Sequence, residues 1–473
     1  MSLEASILNF DPRFEDPHEL RRLTRRGFLG RLLGGAAAGA AFLSFGSQAF
    51  ASPAPARNNL GTGAAPDDER YWEFVASQFL LRQGLAYMNT GTRGPSPRSV
   101  HMAQIDALNG VNSDYFGFTK TVYNKDFLDM LRGKLAAFVG AHPSEIAFTC
   151  NTTEGMVFGT LGIDLNPGDE IVYTNHDHPS GGNPIVLRAT REKLAVRVID
   201  LADRKFHPPK SPDEILQAFE AAMSPKTRLL SFCHINYTDG CVLPVKEICA
   251  MARSRGVITL VDGAQPPGML KLNLHELGCD MYAGPCHKWI LASMYTGFFY
   301  VREELLERVW PTLYAGPVNG KTMYGQPPPE IMAEAVKGAA KFEYHGSTDY
   351  PPRFAVNAAL DFHNQITSEA IEARDRYLAQ RLLKGLRALD RVDVYTSDDP
   401  RLSCALVAFT VKGVPTKTLM DTLWDRHMIY IRNVTHEEID WDVNRASLHI
   451  MVTAKQVDTL LGALEEVAKK KPS

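Results

Sequence analysis

Val257-Ile258-Thr259-Leu260-Val261-Asp262-Gly263-Ala264-Gln265 is the stretch on which the fold of this 473-residue chain turns. Its β-branched apolar run reads as a buried parallel strand. Asp262 follows at once, which puts a carboxylate at the strand's carboxyl end, where open α/β sheets hold their ligands. Twenty-six positions beyond Asp262 comes Lys288, within Pro285-Cys286-His287-Lys288-Trp289. Gly297-Phe298-Phe299-Tyr300-Val301 then reads as a second buried strand.

A carboxylate and a lysine at two strand ends of one sheet suggest a pyridoxal 5′-phosphate (PLP) site. The lysine forms a Schiff base and the carboxylate keeps the pyridine nitrogen protonated. Singly, Asp262 is also a helix N-cap and Lys288 a surface cation. Their order and spacing, with Gln265 and His287 beside them, are similar to the aminotransferase class V family of fold-type I PLP enzymes. That family includes cysteine desulfurases, kynureninases and isopenicillin N epimerase-like proteins, and the D-x-x-Q and H-K-W elements most resemble the epimerase-like branch. The resemblance runs from about Tyr87 to about Leu464. It implies an α/β fold with a large domain around a mainly parallel, seven-stranded-type sheet and a small α+β C-terminal domain. It also implies a homodimer and an amino-acid-type substrate.

Composition agrees with a globular enzyme. Hydrophobic residues make up 45%, and 51 basic residues face 54 acidic ones, so no nucleic-acid or membrane-surface field is implied. Seven cysteines without metal or disulfide spacing read as buried small hydrophobes of a chain folded in a reducing compartment. At the amino end, Thr24-Arg25-Arg26-Gly27-Phe28-Leu29-Gly30 resembles a twin-arginine export signal. A Gly-diluted apolar run, Leu32 to Phe45, and Ala49-Phe50-Ala51 complete it. The run is too short and too rich in glycine for a membrane anchor. The twin-arginine export machinery carries folded cargo, so PLP loading in the cytoplasm, a periplasmic address and free cysteines are mutually compatible. The expected organisation is a signal peptide over 1–51, a linker over 52–66 and an N-terminal segment over 67–110. The large PLP-binding domain is expected over 111–340 and the small domain over 341–473.

Working outward, strand Glu145–Thr149 leads into Asn151-Thr152-Thr153-Glu154 and a helix, an arrangement that binds anions through backbone N–H groups. In the family register Thr152 and Thr153, with His287, hold the PLP phosphate. His176, after strand Asp169–Thr174, falls on the family's ring-stacking histidine. The His176-Asp177-His178 cluster could alternatively suggest a metal, but no third ligand follows at helical spacing. After strand Arg228–Phe232, Asn236 or Tyr237 is expected at the cofactor's phenolic oxygen, with Gln265 supporting it. The Gly/Pro-rich opening segment Asn89-Thr90-Gly91-Thr92-Arg93-Gly94-Pro95 resembles the family's substrate-side loop, which makes Asn89 and Thr92 substrate candidates. Ser347, in Gly346-Ser347-Thr348-Asp349, takes a position that the family supplies to the phosphate of the neighbouring subunit. Arg445, in Asn444-Arg445-Ala446-Ser447-Leu448-His449, matches the arginine that holds the substrate α-carboxylate, and Arg432 is a second candidate. Strands are expected at Met428–Ile431 and Ala446–Met451. The segment Asn433–Asn444 lacks the cysteine that desulfurases carry there, which argues against a persulfide mechanism on that loop.

These residues imply chemistry at the substrate α-carbon. Transamination needs only Lys288 to relay a proton. Epimerisation needs a second acid/base on the opposite face, for which His178 and His345 are candidates. A β-eliminating lyase and a non-catalytic PLP-binding module are the remaining alternatives.

Overall fold

The structure is a computed structural model that describes residues 60, 64–201, 208–315 and 338–469. The export motif, its cleavage junction and most of the linker lie outside the described residues, as does most of the Gly/Pro-rich stretch after Trp310.

Thirteen strands are described. A two-residue strand, β1 (Ala86–Tyr87), opens the chain, and β2 (Ile146–Thr149), β3 (Glu170–Thr174) and β4 (Ala195–Ile199) follow. Next come β5 (Thr227–Cys233), β6 (Ile258–Asp262), β7 (Met281–Pro285) and β8 (Gly297–Val301). The large sheet has the order β2-β8-β7-β6-β5-β3-β4. Its pairs from β4 to β7 are parallel, and β8 runs antiparallel to both β7 and β2. Successive residues on a strand point to opposite faces, and both faces are covered. Leu260, Met281, Ala283 and Phe299 enter one buried cluster, while Val261, Tyr282 and Phe298 enter another. That two-sided burial is why the strands read as unbroken apolar runs rather than alternating ones.

The second sheet has four strands, β9 (Val392–Val394), β10 (Leu406–Val411), β12 (Arg432–His436) and β13 (Trp441–Ser447), in the order β12-β13-β10-β9. A two-residue strand, β11 (Ile429–Tyr430), pairs in parallel with β1. Thus the expected strand Met428–Ile431 is only β11, and β12 was not anticipated. The expected strand Ala446–Met451 lies earlier, at Trp441–Ser447, so Arg445 sits inside a strand rather than opening one. Polar residues had disguised this element. Pairing on both edges buries it, and Asn444 donates Nδ2–H to the Thr416 carbonyl at 2.8 Å. Helices 368–387 and 454–469 cover this sheet, and the N-terminal helix Glu69–Ala76 contributes Trp72 and Val75 to the same apolar cluster. The opening segment therefore packs against C-terminal elements. Helix Pro351–Ile366 begins on Pro351-Pro352, because proline's missing N–H costs nothing in a helix's first turn. No helix among the described residues is long and apolar enough to cross a membrane.

Candidate active site

A cleft of about 260 Å³ opens at the carboxyl end of the large sheet. The β7–β8 connection supplies His287 and Lys288, the loop after β6 supplies Ala264 and Gln265, and the turn after β2 supplies Asn151, Thr152 and Thr153. The opening segment (Gly91, Thr92), His178, Ser180 and Tyr237 form further walls. The small sheet closes the cleft with Arg432, Val434, Thr435 and Arg445.

Lys288 lines the cleft, and Asp262, buried behind the lining, is close enough for the two charges to act on each other. Asp262 is 3% exposed, ends β6 and accepts the Ala264 N–H at 2.9 Å. Burial pushes its carboxyl up, and the charge of Lys288 opposes that shift. Burial also brings the Lys288 ammonium down to about 8; Asp262 resists this, and the guanidiniums of Arg445 and Arg432 add to it. A lysine poised to lose its proton near neutral pH, opposite a buried carboxylate, is suited to imine chemistry and proton transfer. Asp177 stands close by and is a participant that sequence reasoning left without a role. It accepts the Thr174 N–H at 2.9 Å and the Cys233 N–H at 2.8 Å, so it ties the ends of β3 and β5 together. Burial, then the nearby Asp262, raises it to about 7.

The phosphate side is built locally. Asn151 caps helix Thr152–Leu161 by accepting the Glu154 N–H at 2.9 Å, and Glu154 accepts the Cys150 N–H at 2.6 Å. The remaining amides of this first turn have no intrahelical acceptor, and Thr152 and Thr153 line the cleft there. The His287 Nδ1–H donates to the Thr296 carbonyl at 3.1 Å. Burial, with Lys288 and Arg93 nearby, lowers His287 to about 4. Its Nε2 therefore donates to an anion only when that anion's charge restores the imidazolium.

Other sequence candidates fall behind the lining. His176 is fully buried, its Nδ1 is 2.6 Å from Thr238 Oγ1, and its ring meets Trp441 edge-to-face at 5.3 Å. Asn236 is buried and its Oδ1 accepts the Cys233 thiol at 3.1 Å, whereas Tyr237 reaches the cleft. Both amide atoms of Gln265 are engaged: Nε2 donates to the Gly91 carbonyl at 3.1 Å, and Oε1 accepts the Trp289 indole N–H at 2.9 Å. Gln265 thus clamps the opening segment to the Lys288 segment. Gly94 makes the same junction, donating its N–H to the His287 carbonyl at 2.9 Å; a Cβ there would stand 1.9 Å from the Lys288 carbonyl oxygen. Asn89 is buried and accepts the Thr92 hydroxyl at 2.9 Å. Ser347 is exposed and does not line the cleft.

His178 borders the open cleft, edge-to-face with Tyr237 at 4.9 Å. Desolvation first, and then Lys288, Arg432, Arg445 and His436, hold it down to about 4. It is exposed toward the cleft, so solvent screens part of that effect. His176, Asp177 and His178 have separate partners. Among the described residues, three metal-type donors converge instead at Cys150, Glu154 and His345, within 4.8 Å. The seven cysteines are free, six of them buried, and no cysteine lines the cleft.

The aminotransferase class-V family model matches residues 112–460. Isopenicillin N epimerase of Streptomyces clavuligerus is 30% identical over 83% of this chain and 98% of its own, and that of Amycolatopsis lactamdurans is 32% identical over 84% and 99%. A solved mutant of C-DES with glycine covalently linked to its PLP cofactor aligns with TM-score 0.72 at 26% identity, over 82% of this chain and 98% of that one. Probable cysteine desulfurases match at lower identity, the one from Methanothermobacter thermautotrophicus at 25% over 84% and 98%. The lysine facing a buried carboxylate, the hydroxyl-lined helix start and the mainly parallel sheet fit PLP. The chain belongs to the aminotransferase class-V family and is a fold-type I, PLP-dependent enzyme.

Proposed function

We propose that this enzyme moves a proton at the α-carbon of an amino-acid-type substrate, as an epimerase or an aminotransferase, with the epimerase-like branch favoured. The observation that carries this reading is that Lys288, whose ammonium burial lowers to about 8, and His178, held as a neutral imidazole, line one cleft with Arg445. Bound PLP supplies the electron sink that makes the α-hydrogen acidic. Asp262 would hold the proton on the pyridine nitrogen. Arg445 would orient the substrate carboxylate through its planar fork. Thr152, Thr153 and a protonated His287 would hold phosphate, while His176 and Gln265 back the ring, and Tyr237 rather than Asn236 would reach the phenolic oxygen. Asn89 and Thr92 would border the substrate. Lys288 Nζ would take or return the α-proton. His178 is the better second acid/base, because it lines the cleft and His345 does not. With no cysteine on Asn433–Asn444 or in the cleft lining, a desulfurase persulfide has no attachment point there. A C–S lyase remains the second reading, supported by the likeness to C-DES.

The test is incubation with paired L- and D-amino acids in D2O, following isomer, keto acid and α-deuterium together. Inversion with deuterium uptake supports the epimerase reading, keto acid the aminotransferase, and pyruvate or sulfide release the lyase.

The address and assembly belong to the same proposal. The enzyme would be loaded with PLP in the cytoplasm, exported by the twin-arginine machinery and mature near Ser52 in the periplasm, as a homodimer in which Ser347 of the partner subunit meets the phosphate. Free buried cysteines suit a chain folded before export. Replacing Arg25 and Arg26 with lysine is expected to leave folded, PLP-loaded protein in the cytoplasm, and continued export would refute the signal. A PLP-loaded species that runs as a monomer on a sizing column would remove Ser347 from the site.

A further inference from the structure

Arg432 and Arg445 are direct cross-strand partners in the β12–β13 ladder. Like charges directly opposite each other destabilise a sheet, so this pair needs compensation from outside it. The protein offers little. Neither guanidinium has a carboxylate within ion-pair distance among the described residues, and no cleft-lining side chain is acidic. Two acids of the same region have other partners: Glu438 lies 3.5 Å from His436, and the charge of Asp262 acts on Lys288. The Arg432 Nη1–H and Arg445 Nη2–H both donate to the Thr92 hydroxyl oxygen, at 3.3 and 3.5 Å. These are long contacts to a neutral acceptor. Arg445 is 2% exposed, donates Nη1–H to the Tyr237 carbonyl, and has a buried Nε–H without an acceptor. Burial and then the Arg432 charge lower it to about 10.

One α-carboxylate neutralises one of these cations. We infer that the cleft takes an amino acid carrying a second anionic group, with Arg445 binding the α-carboxylate and Arg432 forming a distinct subsite for the distal acid. This rests on the proposed amino-acid reading and narrows its substrate class. Both nitrogens touch one hydroxyl, so they are separated by no more than the sum of those two contacts. That spacing suits a short dicarboxylic amino acid rather than an anion at the end of a long chain. Arg432 is exposed at the mouth, where a distal group would lie.

The test uses the PLP-loaded enzyme and two readouts. Cofactor absorbance is titrated with glutamate and with glutamine, which have the same length and differ in the distal charge; each is used as L and D forms. Calorimetry compares glutarate with glutaramate, which lack the amine. A charge-assisted contact predicts that glutamate half-saturates at a concentration about 30-fold lower than glutamine, with a similar preference for glutarate. Arg432→Gln is expected to shrink both ratios to about 3-fold or less. Equal titration of glutamate and glutamine by wild type overturns the inference. So does an Arg432→Gln variant that weakens both ligands equally, because Arg432 would then share the α-carboxylate. If no amino acid perturbs the absorbance, the amino-acid reading fails. A glutarate preference lost in Arg432→Gln would even then establish the second anion subsite.

Discussion

The two walls of the cleft are built on opposite principles. On the large-sheet wall, Asp262, Gln265 and His287 are almost wholly buried and have hydrogen-bond partners, and the backbone around Lys288 is pinned through Gly94 and Gln265. On the small-sheet wall, two arginines stand side by side with no ion-paired acid among the described residues, one exposed and one with an orphaned Nε–H. A satisfied, rigid wall holds reacting atoms to the small tolerances that chemistry demands. An unsatisfied cationic wall waits for a ligand to complete it. On the proposed reading, the difference teaches that proton transfer and substrate recognition are divided between two sheets, so that one could change without disturbing the other.

The sharpest way to break that division is Lys288→Ala. Loss of a positioned acid/base and of the cofactor anchor is expected to lower turnover by at least about 1000-fold. Borohydride reduction would then no longer fix cofactor to the Lys288 peptide, as read by mass spectrometry. A reducible adduct persisting on the variant would move the anchor elsewhere. Next, Asp262→Asn is expected to retain cofactor while turnover falls about 100-fold or more, because a neutral partner cannot hold the pyridine proton. Near-normal kcat would remove Asp262 from the role. On the other wall, Arg445→Lys is expected to raise KM about 10- to 100-fold with a smaller change in kcat, since an ammonium cannot reproduce the fork. A pure kcat loss would place Arg445 with the chemistry and erase the division.

Two gentler tests sharpen it. Gly94→Ala forces a Cβ to within 1.9 Å of the Lys288 carbonyl oxygen and is expected to destabilise the fold by about 1–3 kcal/mol, seen as a lower Tm. An unchanged Tm would show that the opening segment is not clamped to the large-sheet wall. In the cofactor-free protein, a rising pH should deprotonate Lys288 well before an exposed lysine. The depressed group, at about 8, is neutral above that pH, while an exposed lysine such as Lys271, raised by Glu369, stays charged. Acylation of the Lys288 peptide is therefore expected to rise with a midpoint near 8. A midpoint shared with Lys271 would mean that burial and the two arginines do not act on it.

What the sequence determined by itself is the large-sheet wall. Runs such as Val257–Val261 and Gly297–Val301 are almost wholly apolar because helices cover both sheet faces, so strand, ligand end and lysine spacing can be read in order along the chain. The Thr152-Thr153 helix start was legible for the same reason: its geometry is local. The small-sheet wall was not legible in that way. β12 and β13 are polar, joined by a tight turn at Glu437–Asp440, and they become strands only because each finds a partner for its backbone hydrogen bonds. Asp177 was likewise obscure, since its two amide donors are a short turn away and on a different strand, Thr174 and Cys233. That Tyr237 and His178 line the cleft, while Asn236 and His345 do not, follows from loop packing that spacing cannot encode. Above all, the facing of Arg432 and Arg445 is a property of strand register. Thirteen positions separate them in the chain, and only cross-strand pairing sets one charge against the other.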